Sequence, residues 1–281
     1  SMNWITGKQV IVTGPTSGIG RQIALQLGAL GADLVLACRD VVKGRAVATE
    51  IASAGGAGRV EVLPVDTSSQ QSIRDAARVY RQQHPRLDVL VNNAGTVQDQ
   101  RGESVDGIEL TLATNVLGYH LLTRELLDLL EAGAPSRVVV VASAFAGDLD
   151  LDDLQFARRR FDRLQAYRQS KACNRLWSWA LARRLRQRGV TVNAMTPGFV
   201  PGTDLSRNMP PDLRRAYKER TGRTIAQGAD TAVWLASSSD LADATGGFYT
   251  DRREVPCELR NLQEEERLWR MCEDLAARSA T

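Results

Sequence analysis

Residues that bind metals or form disulfides are scarce in this chain of 281 residues. The four cysteines stand far apart in the sequence, and none belongs to a C-x-x-C pair. Only His84 and His120 add imidazole nitrogens. Because zinc sites and disulfide frameworks depend on closely spaced cysteine and histidine ligands, we expect no metal site and a reduced, cytoplasmic protein.

The chain also lacks a large excess of charge of one sign and long apolar runs. The chain has 36 basic and 33 acidic residues, a balance that does not indicate binding to nucleic acid or to an anionic membrane. No segment offers the ~20 consecutive apolar residues of a transmembrane helix, and the N-terminal residues do not have the pattern of a signal peptide. We therefore expect a soluble chain without a membrane anchor, whose partner is a small molecule.

Six short apolar runs alternate with longer amphipathic stretches. The runs cover residues 9–14, 33–38, 59–66, 87–95, 137–143 and 190–198. Their shortness and continuous apolar character are typical of buried strands in a parallel sheet. Helical periodicity occurs at residues 21–31, 72–83, 107–132 and 169–189. The alternation predicts an α/β fold, a Rossmann-type doubly wound parallel sheet with helices on both faces, in a single domain over residues 1–281 with its core at about 7–250.

The first loop at the carboxyl end of this predicted sheet is rich in glycine. The segment TGPTSGIG covers residues 13–20 and follows the first apolar run. Although the spacing G-x-G-x-x-G is absent, a turn without side chains lets backbone N–H groups and the next helix approach a pyrophosphate. We expect this turn to bind a dinucleotide through Gly14, Ser17, Gly18, Ile19 and Gly20. A tight turn with no ligand is the alternative.

The end of the second run suggests which dinucleotide is bound. Proteins that choose NAD usually place a carboxylate there, against the ribose hydroxyls, whereas this chain has Cys38 and Arg39. A guanidinium can pair with a 2′-phosphate through two hydrogen bonds, so the sequence favours NADP(H). Lys43 would add a second positive charge. Two alternatives stay open, in which Arg39 is only a solvated charge or Asp40 faces the ribose.

The next two runs end in polar residues at the same edge of the sheet. Asp66 ends the third run, and NNAG at residues 92–95 ends the fourth. We expect Asp66 to hydrogen-bond the adenine and the turn of Asn93, Ala94 and Gly95 to approach the ribose. Taken singly, each is equally explained as a helix cap or a turn.

Tyr167 and Lys171 are four residues apart on a predicted helix and therefore share one face. An ammonium about 4 Å from a phenolate contributes ~4 kcal/mol at an effective dielectric constant of ~20, which is roughly 3 pKa units. This predicts a Tyr167 pKa near neutrality, suited to an acid in carbonyl reduction and a base in alcohol oxidation. A surface pair without catalytic function is the alternative.

Two further polar residues are candidates for the same chemistry. Ser143 follows the fifth run, where its hydroxyl could hold a substrate oxygen. Asn115 is an amide inside an otherwise apolar helical stretch, which is unfavourable unless the amide is hydrogen-bonded. We expect it to belong to an internal hydrogen-bond or water path, with a satisfied core amide as the alternative.

In this order, TGPTSGIG, NNAG, Asn115, Ser143, YRQSK and PG at 197–198 resemble the motifs of the short-chain dehydrogenase/reductase family, over about residues 7–250. The resemblance implies that Tyr167 transfers a proton and Ser143 orients a carbonyl. It also implies that Lys171 binds the nicotinamide ribose and that Asn115 supports a water-linked proton relay. The residues implied to border the nicotinamide are Pro197, Gly198 and Thr203.

Within the family, LACRDVVKG and the distal segments TGGFYTDRREVP and ERLWRMCEDLA are similar to the retinol-dehydrogenase-like branch, which generally uses NADP(H). AYRQSKACN also resembles protochlorophyllide reductases. The resemblance thus implies an NADPH-dependent carbonyl reductase or the reverse alcohol dehydrogenase. Reduction of a conjugated C=C bond and a non-catalytic NADP-sensing protein are the alternatives.

The chain departs from the commonest family pattern in its second half. The interval from Ser143 to Tyr167 contains an added segment that could cover the substrate pocket or block a helix-pairing interface, so both a homodimer and a monomer stay open. We expect the acidic and basic runs of this segment to be solvated. Pro and Gly residues recur in segment 199–222, which predicts a mobile substrate flap. We expect residues 251–281 to form a C-terminal extension.

Overall fold

The fold is built on one sheet of eight strands in a computed structural model that describes residues 3–203 and 211–277. The strand order is β3-β2-β1-β4-β5-β6-β7-β8. The strands are β1 (Gln9–Thr13), β2 (Asp33–Cys38), β3 (Val60–Pro64), β4 (Val89–Asn92), β5 (Ser136–Val141), β6 (Val190–Met195), β7 (Phe248–Thr250) and β8 (Arg253–Glu254). Strands β1 to β7 are parallel, and β8 pairs with β7 in the antiparallel direction.

The six predicted runs form β1 to β6, which confirms the doubly wound parallel sheet. All six residues of β5 are buried, which explains why this strand shows no alternation of polar and apolar residues. The chain leaves β1 towards β2 on one side and later returns to β4 on the other. The carboxyl ends of β1 and β4 therefore flank the crevice in which such sheets bind ligands.

Helices cover both faces of the sheet. They are α1 (Gly18–Ala29), α2 (Val41–Ala54), α3 (Gln70–Gln83), α4 (Leu110–Leu112), α5 (Gly118–Glu125), α6 (Leu127–Ala132), α7 (Arg163–Leu185), α8 (Pro211–Glu219), α9 (Ile225–Ser237) and α10 (Leu262–Ala277). One apolar core joins the sheet to α3, α5, α7 and α10, and a second joins it to α1, α2 and α9. Trp177 and Trp179 are fully buried in the first core, as expected for packing residues.

The helical pattern predicted over 107–132 forms helical turns from Leu110 to Ala132, but not one regular α-helix. A π-helical turn, Ala113–Leu117, separates α4 from α5, and Leu126 separates α5 from α6. The neighbouring Gly118 lies so close to the loop after β3 that a Cβ atom there would be 2.6 Å from the Thr67 carbonyl oxygen. The π-helical turn contains Asn115 and therefore changes the direction in which this amide is presented.

The apolar residues of the added segment between β5 and α7 are packed, whereas its charged runs are exposed or half-buried as expected, with Asp153 as the exception. The apolar residues Leu151, Leu154 and Phe156 are buried. The buried Asp153 carboxylate accepts hydrogen bonds from the N–H groups of residues 157–159, and it lies 3.2 Å from the Arg159 guanidinium. Internal hydrogen bonds thus satisfy a charge that the sequence pattern assigned to solvent.

The C-terminal helix α10 packs against α7. Arg183 of α7 pairs with Glu265 and Glu266, while Glu273 lies 2.7 Å from the buried His120 of α5. Among the described helices, none combines the length and the apolarity that crossing a bilayer requires.

Candidate active site

A cleft of ≈ 1850 Å³ opens at the carboxyl edge of the sheet. Pockets for single small ligands usually measure about 300–1,000 Å³, so this cleft has room for a dinucleotide together with a substrate. All the predicted cofactor-binding residues line the cleft, as do Ser143, Tyr167 and Lys171. Of the predicted site residues, only Asn115 lies behind its wall.

The glycine-rich turn is shaped by two different requirements. Gly14 and Gly18 have φ angles of +62° and +53°, in the left-handed region that favours glycine. Gly20 allows close packing, because a Cβ atom there would lie 2.0 Å from the Gly14 carbonyl oxygen and 2.2 Å from Asn93 Nδ2. The turn leads into the N-terminus of α1, whose free N–H groups and dipole favour an anion.

Hydrogen bonds of Thr13 and Asn93 connect the turn after β4 to the glycine-rich turn. Thr13 Oγ1 accepts hydrogen bonds from the N–H groups of Asn93 and Ala94, both at 2.9 Å. Asn93 Nδ2 donates to the carbonyl oxygens of Thr13 and Gly14 at 3.1 and 3.2 Å. The Asn93 side chain thus supports the end of the cleft that contains the glycine-rich turn. The sequence did not reveal this supporting role of Thr13 and Asn93.

At the rim of the cleft, Arg39 is exposed and has no ion pair or hydrogen-bonded partner within the described part of the chain. Asp40 instead caps α2, because its Oδ1 accepts from the N–H group of Lys43 at 3.0 Å. Asp40 is therefore an N-cap residue of α2. Asp66 Oδ1 likewise accepts from the N–H and hydroxyl groups of Ser68.

Tyr167, Ser143 and Lys171 meet at the other end of the cleft. Tyr167 and Ser143 both line this end, and Ser143 Oγ accepts from the N–H group of Phe145 at 2.9 Å. Lys171 is buried, and its Nζ donates to the Val141 carbonyl oxygen at 3.2 Å. The Lys171 Nζ lies 5.7 Å from the centroid of the Tyr167 ring.

The predicted electrostatic effect of Lys171 on Tyr167 is wrong for the chain on its own. Burial raises the pKa of Tyr167 to about 12, with a further increase from Tyr217 and an opposing effect of the hydrogen bond to Ser143. Burial also lowers the pKa of Lys171 to about 8. Burial is the largest cause of both pKa changes, and the Lys171 ammonium, which lies beside the Tyr167 ring, does not offset it.

Asn115 is fully buried and hydrogen-bonded within the protein, which fits both the internal hydrogen-bond path and the core amide considered for it. Its Nδ2 donates to the Thr96 carbonyl oxygen and to Ser170 Oγ, both at 3.0 Å, and its Oδ1 accepts from the Thr96 N–H group at 2.8 Å. Its main-chain carbonyl accepts from Asn174 Nδ2 at 2.7 Å. Asn115 therefore connects the loop after β4 to the helix that carries Tyr167 and Lys171.

Aromatic residues line the part of the cleft beyond Tyr167. Phe145 is 44% exposed, and the rings of Phe199 and Tyr217 meet edge to face at 4.8 Å between centroids. The Tyr217 side chain is hydrogen-bonded to Thr203, one of the residues implied to border the nicotinamide. Tyr217 comes from α8, within the predicted flap, whose residues 204–210 lie outside the described residues. No motif in the sequence points to Tyr217.

The fold and this cleft define a dinucleotide-binding α/β protein with a tyrosine, a serine and a lysine at its binding edge. The sequence model described as short chain dehydrogenase matches residues 8–214. Human retinol dehydrogenase 13 is 36% identical over 276 residues, covering 94% of this chain and 83% of the relative. A probable oxidoreductase of Streptomyces antibioticus is 37% identical over 264 residues, covering 89% of this chain and 87% of the relative.

Solved structures agree with these sequence matches. The NADP active-site complex of RhlG from Pseudomonas aeruginosa has a TM-score of 0.71 and 28% identity, and the match covers 87% of this chain and 94% of RhlG. The chain belongs to the short-chain dehydrogenase/reductase family and, within it, to the retinol-dehydrogenase-like branch. It is therefore a pyridine-nucleotide oxidoreductase that acts on a small molecule.

Proposed function

We propose that this protein is an NADPH-dependent oxidoreductase that transfers hydride between the nicotinamide and a carbonyl or alcohol carbon of a small organic substrate, with Tyr167 as the general acid or base. The observation that carries the proposal is that Tyr167, Ser143 and Lys171 line one end of the cleft. Two hydroxyl groups on the same wall, with Ser143 lowering the pKa of Tyr167, can both contact one substrate oxygen.

The residues of the cleft fit a dinucleotide phosphate. The glycine-rich turn leaves space beside the N-terminus of α1, and Arg39 and Lys43 bring positive charge to the end of β2. A guanidinium without a protein partner is suited to a 2′-phosphate. The NADP in the RhlG complex supports the same choice by likeness. When bound, the nicotinamide supplies or accepts the hydride.

The protonation states of Tyr167 and Lys171 suit carbonyl reduction. A Tyr167 pKa of about 12 keeps this hydroxyl protonated at neutral pH, so that it can donate to an oxygen that becomes negative. Ser143, which lowers the pKa of Tyr167, would hold that oxygen and then stabilise the phenolate. Lys171, with a pKa of about 8, still carries a proton at pH 7 and adds positive charge on the same helix face.

The segment 199–222 is the proposed cover of the substrate. Its described part places Phe199, Thr203 and Tyr217 on the wall of the cleft, close enough to Tyr167 for Tyr217 to raise its pKa. The substrate would therefore be enclosed between this segment, Phe145 and Tyr167.

The experiment is a screen of ketones, aldehydes and quinones, followed by NADPH consumption, with deuterated NADPH used for each compound that reacts. We expect deuterium on the carbinol carbon of the product. Deuterium on a former alkene carbon would instead establish reduction of a conjugated C=C bond. Tight NADPH binding without hydride transfer to any compound would support the non-catalytic alternative.

A further inference from the structure

Arg175 lies on α7 eight residues after Tyr167, about two helical turns further along. It is only 4% exposed and does not line the cleft. Its Nε and Nη2 both donate to the main-chain carbonyl oxygen of Ser143, at 3.2 and 2.5 Å. One guanidinium thus holds the backbone of Ser143, which lines the cleft together with Tyr167.

The surroundings of Arg175 contain no balancing charge. Its Nη1 lies 3.3 Å from Cys257 Sγ, and its guanidinium stacks 4.2 Å from the centroid of the Phe248 ring. Within the described ranges, no carboxylate forms an ion pair with it. Burying a cation without an anion is unfavourable, and an apolar side chain would fill the same space. A role in packing alone does not account for an arginine here.

The Ser143 carbonyl belongs to a loop that is fixed at three successive residues. Ser143 is held by Arg175, the Ala144 N–H group donates to Thr196 Oγ1 at 2.8 Å, and the Phe145 N–H group donates to Ser143 Oγ at 2.9 Å. The two hydrogen bonds from Arg175 restrict rotation of the peptide that follows Ser143. Because Ser143 Oγ accepts from the Phe145 N–H group, the conformation of this peptide also constrains the Ser143 hydroxyl.

We propose that Arg175 is a positioning residue that orients Ser143, so that its hydroxyl meets both Tyr167 and the substrate oxygen. The proposal rests on the proposed function. Arg175 acts through the Ser143 backbone and contacts neither substrate nor nucleotide. Its loss leaves Ser143 free to turn away, which weakens the effect by which Ser143 lowers the pKa of Tyr167.

The test compares Arg175→Met with wild type. We expect kcat to fall by about 10- to 100-fold, as small displacements of positioning groups do, while the Kd for NADPH stays within about twofold. The pH profile of kcat should shift to higher pH, because Tyr167 loses part of the hydrogen bond to Ser143. The other ionisable groups that face Tyr167, namely Lys171, Tyr119 and Tyr217, are unchanged in this variant. Arg175→Lys keeps the charge and one donor and should restore part of kcat.

Arg137 provides a matched control. It is also buried, and it donates to the carbonyl oxygens of Leu235 and Ser238 from the opposite end of β5. Arg137→Met should lower the melting temperature without shifting the pH profile. A wild-type pH profile and kcat in Arg175→Met would overturn the positioning role, as would an equal loss of kcat in Arg137→Met. Turnover that persists in Tyr167→Phe would instead refute the proposed function itself.

Discussion

Replacing Lys171 by methionine should make the nucleotide-free protein more stable at neutral pH. Lys171 is 4% exposed, and its Nζ has one hydrogen bond, to the Val141 carbonyl oxygen, without an ion pair to any described carboxylate. Burial lowers its pKa from 10.5 to about 8. Because the folded protein binds this proton less tightly than the unfolded chain does, the protonated lysine destabilises the fold.

The magnitude follows from the size of this change. Each pKa unit corresponds to about 1.4 kcal/mol, so the buried ammonium costs roughly 3 kcal/mol at pH 7. Methionine removes that cost and also loses the hydrogen bond to Val141, worth about 1 kcal/mol. The Val141 carbonyl oxygen keeps a contact with the Tyr119 hydroxyl at 3.5 Å. We therefore expect Lys171→Met to raise the free energy of unfolding by roughly 2 kcal/mol while abolishing turnover.

The difference in stability between wild type and Lys171→Met should depend on pH. Below pH 8, Lys171 is charged in both states and its full destabilising effect is present. Between pH 8 and 10.5 the folded protein loses the proton while the unfolded chain keeps it, so the wild type gains stability as the pH rises. The advantage of Lys171→Met should therefore shrink over this range.

The assay is denaturant unfolding followed by tryptophan fluorescence, without nucleotide, at pH 7 and pH 10. Lys218→Met, which replaces an exposed lysine on α8, is the control and should change stability little at either pH. A Lys171→Met protein that is less stable than wild type at pH 7, or whose stability difference is the same at both pH values, would refute the reasoning.

Three other substitutions test the cofactor end of the cleft and its support. Arg39→Asp should weaken NADPH binding, measured by nucleotide fluorescence, by about 10- to 100-fold, because it removes a hydrogen bond to a charged group. Equal affinities of the parent protein for NADPH and NADH would contradict the assignment of Arg39 to the 2′-phosphate. Gly20→Ala would place a Cβ atom 2.0 Å from the Gly14 carbonyl oxygen. The free energy of unfolding should therefore fall by about 1–3 kcal/mol, and NADPH should no longer raise the melting temperature. Unchanged nucleotide affinity would exclude the proposed close packing. Asn115→Leu removes three side-chain hydrogen bonds, so the free energy of unfolding, measured with denaturant, should fall by roughly 3 kcal/mol. A decrease below about 1 kcal/mol would argue against the support role of Asn115.

The strands and the glycine-rich turn were predictable because their causes are local. Buried β-branched runs identify β1 to β6, and the left-handed φ angles at Gly14 and Gly18 require a residue without a side chain. The three residues of β7 were missed because a strand so short has no period of its own. The packing of α10 on α7 joins segments about 90 residues apart, and no local pattern signals it.

The candidate site was predictable in its residue types but not in its electrostatics. The spacing of Tyr167 and Lys171 correctly predicts that they share a helix face, but a sequence does not show how deeply either side chain is buried. Burial therefore reverses the expected direction of the Tyr167 pKa. Arg175 and Thr13 act through contacts with residues 32 and 80 positions away in the chain, beyond the reach of any local motif.

Tyr167→Phe tests the central claim most directly, with Tyr217→Phe as the matched loss of a hydroxyl group on the same cleft. Using deuterated NADPH and a carbonyl compound that the wild type reduces, we expect Tyr167→Phe to bind NADPH normally while the rate of deuteride transfer falls by about 10²- to 10⁴-fold. The Tyr217 variant should lose much less. A Tyr167→Phe protein that transfers deuteride at close to the wild-type rate would show that the proton comes from another group.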